Sequence, residues 1–190
     1  MGSDTVSLCV LGGTFDPVHN AHLAIARRAL EAVQAERLLW IPTGSPPYRK
    51  PPVASAAHRL AMLRLAIAGE PGWHIDEREL APGASGYTVD TLESLRAQHP
   101  GSPLVMLLGA DQFAKLGSWH RPERLFELCR FAVFARPGWP VTDPRAAVIP
   151  MAPLEISASD IRARLARGDD VSALVPAPVL AYIRAHGLYR

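Results

Sequence analysis

The chain is poor in cysteine, with two among 190 residues. Cys9 and Cys129 each sit inside an apolar run, and a chain of this length needs no disulfide framework, so both read as reduced core residues. Charge of one sign is also missing. Twenty Lys and Arg stand against eighteen Asp and Glu, a net +2, which is too small for a generic electrostatic footprint on nucleic acid and makes any anion site a local one. Met1 to Thr5 carries no basic leader and runs only into a short apolar stretch. Neither a signal peptide nor a membrane span fits that pattern, and a cytoplasmic protein is expected. Internal repeats, heptads and low-complexity tracts are absent as well. What remains is a chain with 48% hydrophobic residues, long enough for one substantial core and short for two, which predicts a single domain over 1–190.

The apolar residues are arranged as alternating strands and helices. Val6 to Leu11 reads as a buried strand ending in Gly12-Gly13, and Asn20 to Gln34 as a helix with Leu23, Ala26, Leu30 and Val33 on one stripe. Arg37 to Ile41 is the next strand. The loop Thr43 to Val53 follows, and its four prolines bar any regular element. Helices are expected over Ser55–Ala68 and from Thr88 to Ala97, the second with Thr88 as N-cap and Asp90 near the positive end of its dipole. Strands are expected at Trp73–Asp76, Leu104–Leu108, Phe131–Ala135 and Ala147–Pro150, with a short helix over Glu123–Leu128. Ser159–Arg167 and Pro178–Ala185 complete a small helical C-terminal part. This alternation predicts an α/β, Rossmann-like, doubly wound and mostly parallel sheet with helices on both faces. Such sheets bind ligands beyond the carboxyl ends of their strands, where the loops after Leu11, Ile41 and Leu108 fall.

The first of those loops carries the most informative chemistry, Gly12-Gly13-Thr14-Phe15-Asp16-Pro17-Val18-His19-Asn20-Ala21-His22. His19 and His22 are three apart at a helix start, so they share one side of its first turn. The helix start offers unpaired N–H groups and partial positive charge, and two glycines let a phosphate chain approach the backbone. A phosphate cradle with two imidazole donors follows; a turn whose histidines merely cap or pack is the structural alternative. The string is similar to the H-x-G-H signature of the nucleotidyltransferase superfamily, with Ala21 in place of the glycine. Ile156-Ser157-Ala158-Ser159-Asp160-Ile161-Arg162 resembles the I-S-x-x-x-I-R motif of the same superfamily. There Ser157, Ser159 and Arg162 either receive the β- and γ-phosphates or act as N-caps and a surface arginine.

Further matches occur in order along the chain: Pro46-Pro47-Tyr48-Arg49, Gly86 to Leu92, Gly109-Ala110-Asp111, Trp119-His120, Arg136-Pro137-Gly138 and the stretch Leu174 to Tyr189. Together they resemble the bacterial nicotinate-mononucleotide adenylyltransferases. The resemblance implies transfer of AMP from ATP to nicotinate mononucleotide, giving deamido-NAD and pyrophosphate, with Mg²⁺ arriving on ATP and with no nucleic acid or membrane as partner. It implies ATP contacts from Gly12, Gly13, Thr14, Phe15, His19, His22, Ser157, Ser159 and Arg162, the last completed by the helical segment from about 157 to 190. His19, His22 and Arg162 are the implied catalytic set. On the mononucleotide side it implies a ring sandwich of Tyr87 and Trp119, carboxylate contacts from the backbone of Thr88 and His120, phosphate contacts from Arg49 and Arg136, and ribose contacts from Asp111. An electron-poor pyridinium suits two aromatic faces, whereas Trp40 and Trp73 are assigned to the core. Related adenylyltransferases for nicotinamide mononucleotide or phosphopantetheine, a nucleic-acid-dependent adenylating enzyme and a non-catalytic ATP sensor are the alternatives.

Overall fold

The computed structural model of the chain describes residues 7–44, 50–152 and 154–190. Six strands form one all-parallel sheet: β1 (Leu8–Gly13), β2 (Arg37–Pro42), β3 (Trp73–Ile75), β4 (Leu104–Gly109), β5 (Arg130–Phe134) and β6 (Ala146–Ile149), in the order β3-β2-β1-β4-β5-β6. Seven α-helices accompany them among the described residues: α1 (Asn20–Val33), α2 (Ala56–Ile67), α3 (Thr88–Gln98), α4 (Ala110–Phe113), α5 (Pro122–Leu128), α6 (Ala158–Arg167) and α7 (Ala177–Ala185). The Rossmann-like α/β fold expected from the alternation is the one observed.

The period of two along each strand divides the core. Cys9, Leu11, Leu38, Trp40, Val105, Leu107, Ala132 and Phe134 face one layer, where α1, α2, α6 and α7 pack. Their neighbours Leu8, Val10, Leu39, Ile41, Leu104, Met106, Leu108, Phe131 and Val133 face the other, against α3, α4 and α5. Both faces are covered, so the central strands are apolar almost without interruption. Trp40 and Trp73 lie in the first layer with their rings 5.3 Å apart. Both cysteines are free and buried.

Several boundaries differ from the sequence expectation for local reasons. β1 runs through both glycines because Gly12 and Gly13 continue the register against Ile41 and Pro42. Thr88 is not an N-cap but the first helical residue of α3, and Tyr87 precedes it in extended conformation. The Ser85 hydroxyl organises this start, accepting the Tyr87 N–H and donating to Asp90. α4, a single turn after β4, was not foreseen; four residues carry too little periodicity to register. No helix among the described residues is long and apolar enough to cross a membrane.

The topology places the site. β1 and β4 are neighbours, yet their connections leave in opposite directions along the sheet, β1 to β2 and β4 to β5. A crevice opens beyond the carboxyl ends of strands at such a reversal. The loops after β1, β2 and β4 border it.

Candidate active site

The loop leaving β1 is held tightly before it reaches the helix. Phe15 adopts a left-handed backbone, φ 49°, and its ring folds back over Gly13, where an added Cβ would come within 2.8 Å of it. A side chain at 13 would have to push the buried Phe15 ring aside. Beneath the loop the Arg59 guanidinium, only 1% exposed, donates to the carbonyls of Thr14 and Thr43 at 2.7 and 2.8 Å, tying the loops after β1 and β2 together.

His19 is the N-cap of α1 and His22 its third residue. Their rings stack at 3.7 Å between centroids with 22° between planes, and the Phe15 ring meets His22 edge-on at 5.1 Å. The backbone N–H of His19 donates to His22 Nδ1 at 3.2 Å. That bond occupies the Nδ1 lone pair, so a neutral His22 carries its proton on Nε2 and presents a donor there. Burial lowers the His19 pKa to about 4. His22 also lies well below the ordinary value, because of burial first and then the nearby His19 and Arg136. Both imidazoles are neutral at pH 7, and His19 Nδ1 is buried without a hydrogen-bond partner. An anion supplying negative charge here would reverse the penalty on protonation.

α6 closes over this loop from the far end of the sequence. Ser157 is its N-cap, accepting the Asp160 N–H at 3.2 Å, with its hydroxyl 3.2 Å from that of Ser159. One helical turn on, Arg162 donates to the Asp16 carbonyl at 2.6 Å. Thr14, Phe15, His19, His22, Ser157, Ser159, Arg162 and Arg136 together line a cavity of about 980 Å³. Ala21 lines it too and is 4% exposed, so the methyl at the position where the superfamily has glycine is packed rather than projecting freely.

A second cavity, of about 880 Å³, lies on the other side of the β1 loop and is lined by Gly12, Gly13, Thr43, Tyr87, Thr88, Trp119 and His120, among others. Its polar lining includes Glu79, Gln112 and Lys115, none of which the sequence reading singled out. The ring stacked on Tyr87 is His120, at 4.3 Å with 30° between planes, while Trp119 leans on the core beside α5. Sequence reasoning assigned only the His120 backbone a role and missed its side chain. Arg121, the next residue, has a left-handed backbone, φ 52°, and is held by Glu93 at 3.0 Å.

Most predicted residues thus gather around two adjoining cavities. Gly12 and Gly13, expected at ATP, line the second cavity rather than that of the histidines, and Asp111 and Arg136 lie together. They form an ion pair at 3.3 Å at the ends of β4 and β5, and Arg136 lines the cavity of the histidines rather than that of Tyr87 and Trp119. Tyr48 and Arg49 lie outside the described residues. Asp16, Arg59 and Tyr189, which build the floor of the loop, were not predicted; an acidic residue inside a phosphate-binding string is the one local oddity that pointed there.

The chain matches the model of the cytidylyltransferase-like family over residues 10–164. A protein of Laribacter hongkongensis described as a "probable nicotinate-nucleotide adenylyltransferase" is 44% identical, the alignment covering 97% of this chain and 95% of that one. A protein of Bordetella petrii with the same description is 44% identical over 95% and 97%. The chain belongs to the nicotinate-nucleotide adenylyltransferase family. The fold of Plasmodium falciparum nicotinic acid mononucleotide adenylyltransferase, solved with NaAD, superposes with a TM-score of 0.82 over 97% of each chain at 19% identity.

Proposed function

We propose that the protein, working as one nucleotidyltransferase domain of the cytoplasm, transfers AMP from ATP to nicotinate mononucleotide, forming deamido-NAD and releasing pyrophosphate. The observation that carries this reading is the pair of cavities divided by the Gly12–His22 loop. One has phosphate-binding character, with two stacked imidazoles, a helix N-terminus and Arg162. The other has aromatic walls, Tyr87, His120 and Trp119. ATP fits the first and the mononucleotide the second, so the acceptor phosphate and the α-phosphate meet over the loop. The names and full-length similarity of the relatives support the same assignment.

A nucleotide 5′-phosphate is mostly dianionic at pH 7, its second pKa lying near about 6, and needs no general base. The barrier lies in bringing two anions together in line and letting pyrophosphate leave, so positioning and charge neutralisation carry the rate. His19 orients the nucleophile and the α-phosphate. The His22 Nε2–H and the Arg162 guanidinium stabilise charge on the bridging oxygen and the pyrophosphate. Phosphate charge beside these imidazoles draws protons onto them and strengthens both as donors.

Asp16, three residues before His19, is not available as a metal ligand, since Val53, Ala54 and Tyr189 engage both of its carboxylate oxygens. Among the described residues no three His, Cys, Asp or Glu side chains gather as a metal cage. In this reading Mg²⁺ arrives on ATP, held by its phosphate oxygens and water. When bound, that ion supplies neutralisation of phosphate charge. On the acceptor side, Thr88 and His120 offer backbone N–H groups to the pyridine carboxylate, Tyr87 and Trp119 flank the ring, Asp111 serves the ribose, and Arg49 serves the phosphate; Arg136, which lines the cavity of the histidines, serves that phosphate only where it meets the α-phosphate of ATP.

Incubation with ATP, Mg²⁺ and, separately, nicotinate mononucleotide, nicotinamide mononucleotide and phosphopantetheine tests the reading by product. Deamido-NAD as the dominant product supports it. Turnover of another acceptor in preference, or ATP binding without pyrophosphate release, would sink it.

A further inference from the structure

Polar groups that touch no reacting atom lie beneath the loop ahead of the histidines. The Tyr189 hydroxyl donates to Asp16 Oδ1 at 2.7 Å across 173 residues of chain, and the two residues are 8% and 4% exposed. The same carboxylate accepts the N–H groups of Val53 and Ala54 at 2.7 and 3.1 Å. Arg162, already bonded to the Asp16 carbonyl, has a nitrogen 3.9 Å from Oδ2. On the other side of His19, Asn20 is held by the same C-terminal segment. Its N–H donates to the Leu174 carbonyl and its side-chain amide to that of Ala173, each at 2.9 Å. His19 is thus bracketed, at Asp16 and at Asn20, by residues 173–189.

We propose that this segment is a clamp on the phosphate loop and that Tyr189 is a positioning residue for ATP, its hydroxyl holding the Asp16 carboxylate so that Arg162 stays directed at the nucleotide cavity. A buried carboxylate that loses one of its donors seeks another, because the unmet bond is costly away from water. Two cations face it: Arg59, held by the carbonyls of Thr14 and Thr43 with its Nε buried and unpaired, and Arg162, whose nitrogen already lies 3.9 Å from Oδ2 and whose side chain is the freer of the two to move. Without the phenol, Asp16 turns to Arg162 and draws it from the triphosphate. The mononucleotide cavity, lined by other residues, is left as it was. The inference rests on the assignment of ATP to the cavity of the histidines.

ATP and nicotinate mononucleotide affinities measured by calorimetry test the clamp. Tyr189→Phe should weaken ATP about tenfold, as expected for losing a bond to a charged group, with mononucleotide affinity within about twofold. Tyr182→Phe is the control, since that phenol bonds His58 Nδ1 at 2.9 Å and touches neither cavity; it should change neither affinity. Adding Tyr189→Phe to Arg162→Ala should cost much less than tenfold more, because no cation is left at 162 for Asp16 to draw away. In an Asp16→Asn background, where no buried charge is left to pull on Arg162, Tyr189→Phe should leave ATP affinity within about twofold, and this pair keeps the test open should the single variant fail to fold. Unchanged ATP affinity in Tyr189→Phe, equal loss of both ligands, or full additivity with Arg162→Ala would overturn the clamp. Deamido-NAD formation by the unaltered protein is measured alongside. Its absence would count against the proposed reaction, while the ATP affinities still decide the clamp.

Discussion

Replacing His19 by Asn should make the fold less sensitive to acid. His19 has a pKa of about 4 in the folded protein against an ordinary 6.5, because its ring is buried and the charged form is poorly solvated. The unfolded chain therefore binds a proton that the folded one refuses over the range between those values. Stability is unaffected above about pH 7, falls as pH drops through 6.5, and has lost its full share below about 4. At about 1.4 kcal/mol per pH unit, the full share is about 3 kcal/mol, of which about 2 kcal/mol is lost between pH 7 and pH 5. Asn is a good N-cap and does not titrate, so the helix start should survive the change. Urea denaturation of both proteins at pH 7 and pH 5, with the m-value checked for constancy, measures the difference. The wild type should lose about 2 kcal/mol more than His19→Asn over that interval. Equal losses would mean that His19 is not held neutral by its surroundings, and the description of the site as an uncharged imidazole pair would fall with it.

Three further outcomes follow from the same geometry. Because neutral imidazoles face the incoming phosphates, ATP binding near pH 6 should take up protons, detectable as a dependence of the calorimetric enthalpy on the buffer's ionisation enthalpy; release of protons would contradict this arrangement. Trp119→Ala removes one wall of the cavity holding Tyr87 and His120, and should raise KM for nicotinate mononucleotide about tenfold or more while KM for ATP changes by less than about threefold. Gly72 has φ 76°, and a Cβ there would lie 2.0 Å from the Glu36 carbonyl oxygen, so Gly72→Ala should cost about 2–4 kcal/mol and lower Tm by about 5–15 °C; a shift under about 2 °C would show the turn before β3 to be looser than described.

The fold was legible because each central strand must be apolar on both faces. Val105 and Leu107 serve one layer while Leu104, Met106 and Leu108 serve the other, and such a run leaves few readings besides a buried parallel strand. The phosphate side of the site was legible for a different reason. His19 and His22 are one helical turn apart, and Ser157 and Arg162 belong to a single helix start, so the relevant geometry is local and repeats from one helix to the next. The elements that escaped depend on distant partners. Nothing near Tyr189 in sequence announces Asp16, the stacking of His120 on Tyr87 joins two loops 33 positions apart, and the placement of Arg136 follows from the turn after β5 rather than from its own neighbours.

The most direct test of the account follows the α-phosphorus. With ATP labelled at the α-phosphate, Mg²⁺ and nicotinate mononucleotide, the label should appear in deamido-NAD, the pyrophosphate should be unlabelled, no label should remain covalently attached to the protein, and His19→Ala should slow label transfer by about a hundredfold or more. Label retained on the protein, or transfer undiminished in His19→Ala, would contradict direct adenylyl transfer across the Gly12–His22 loop.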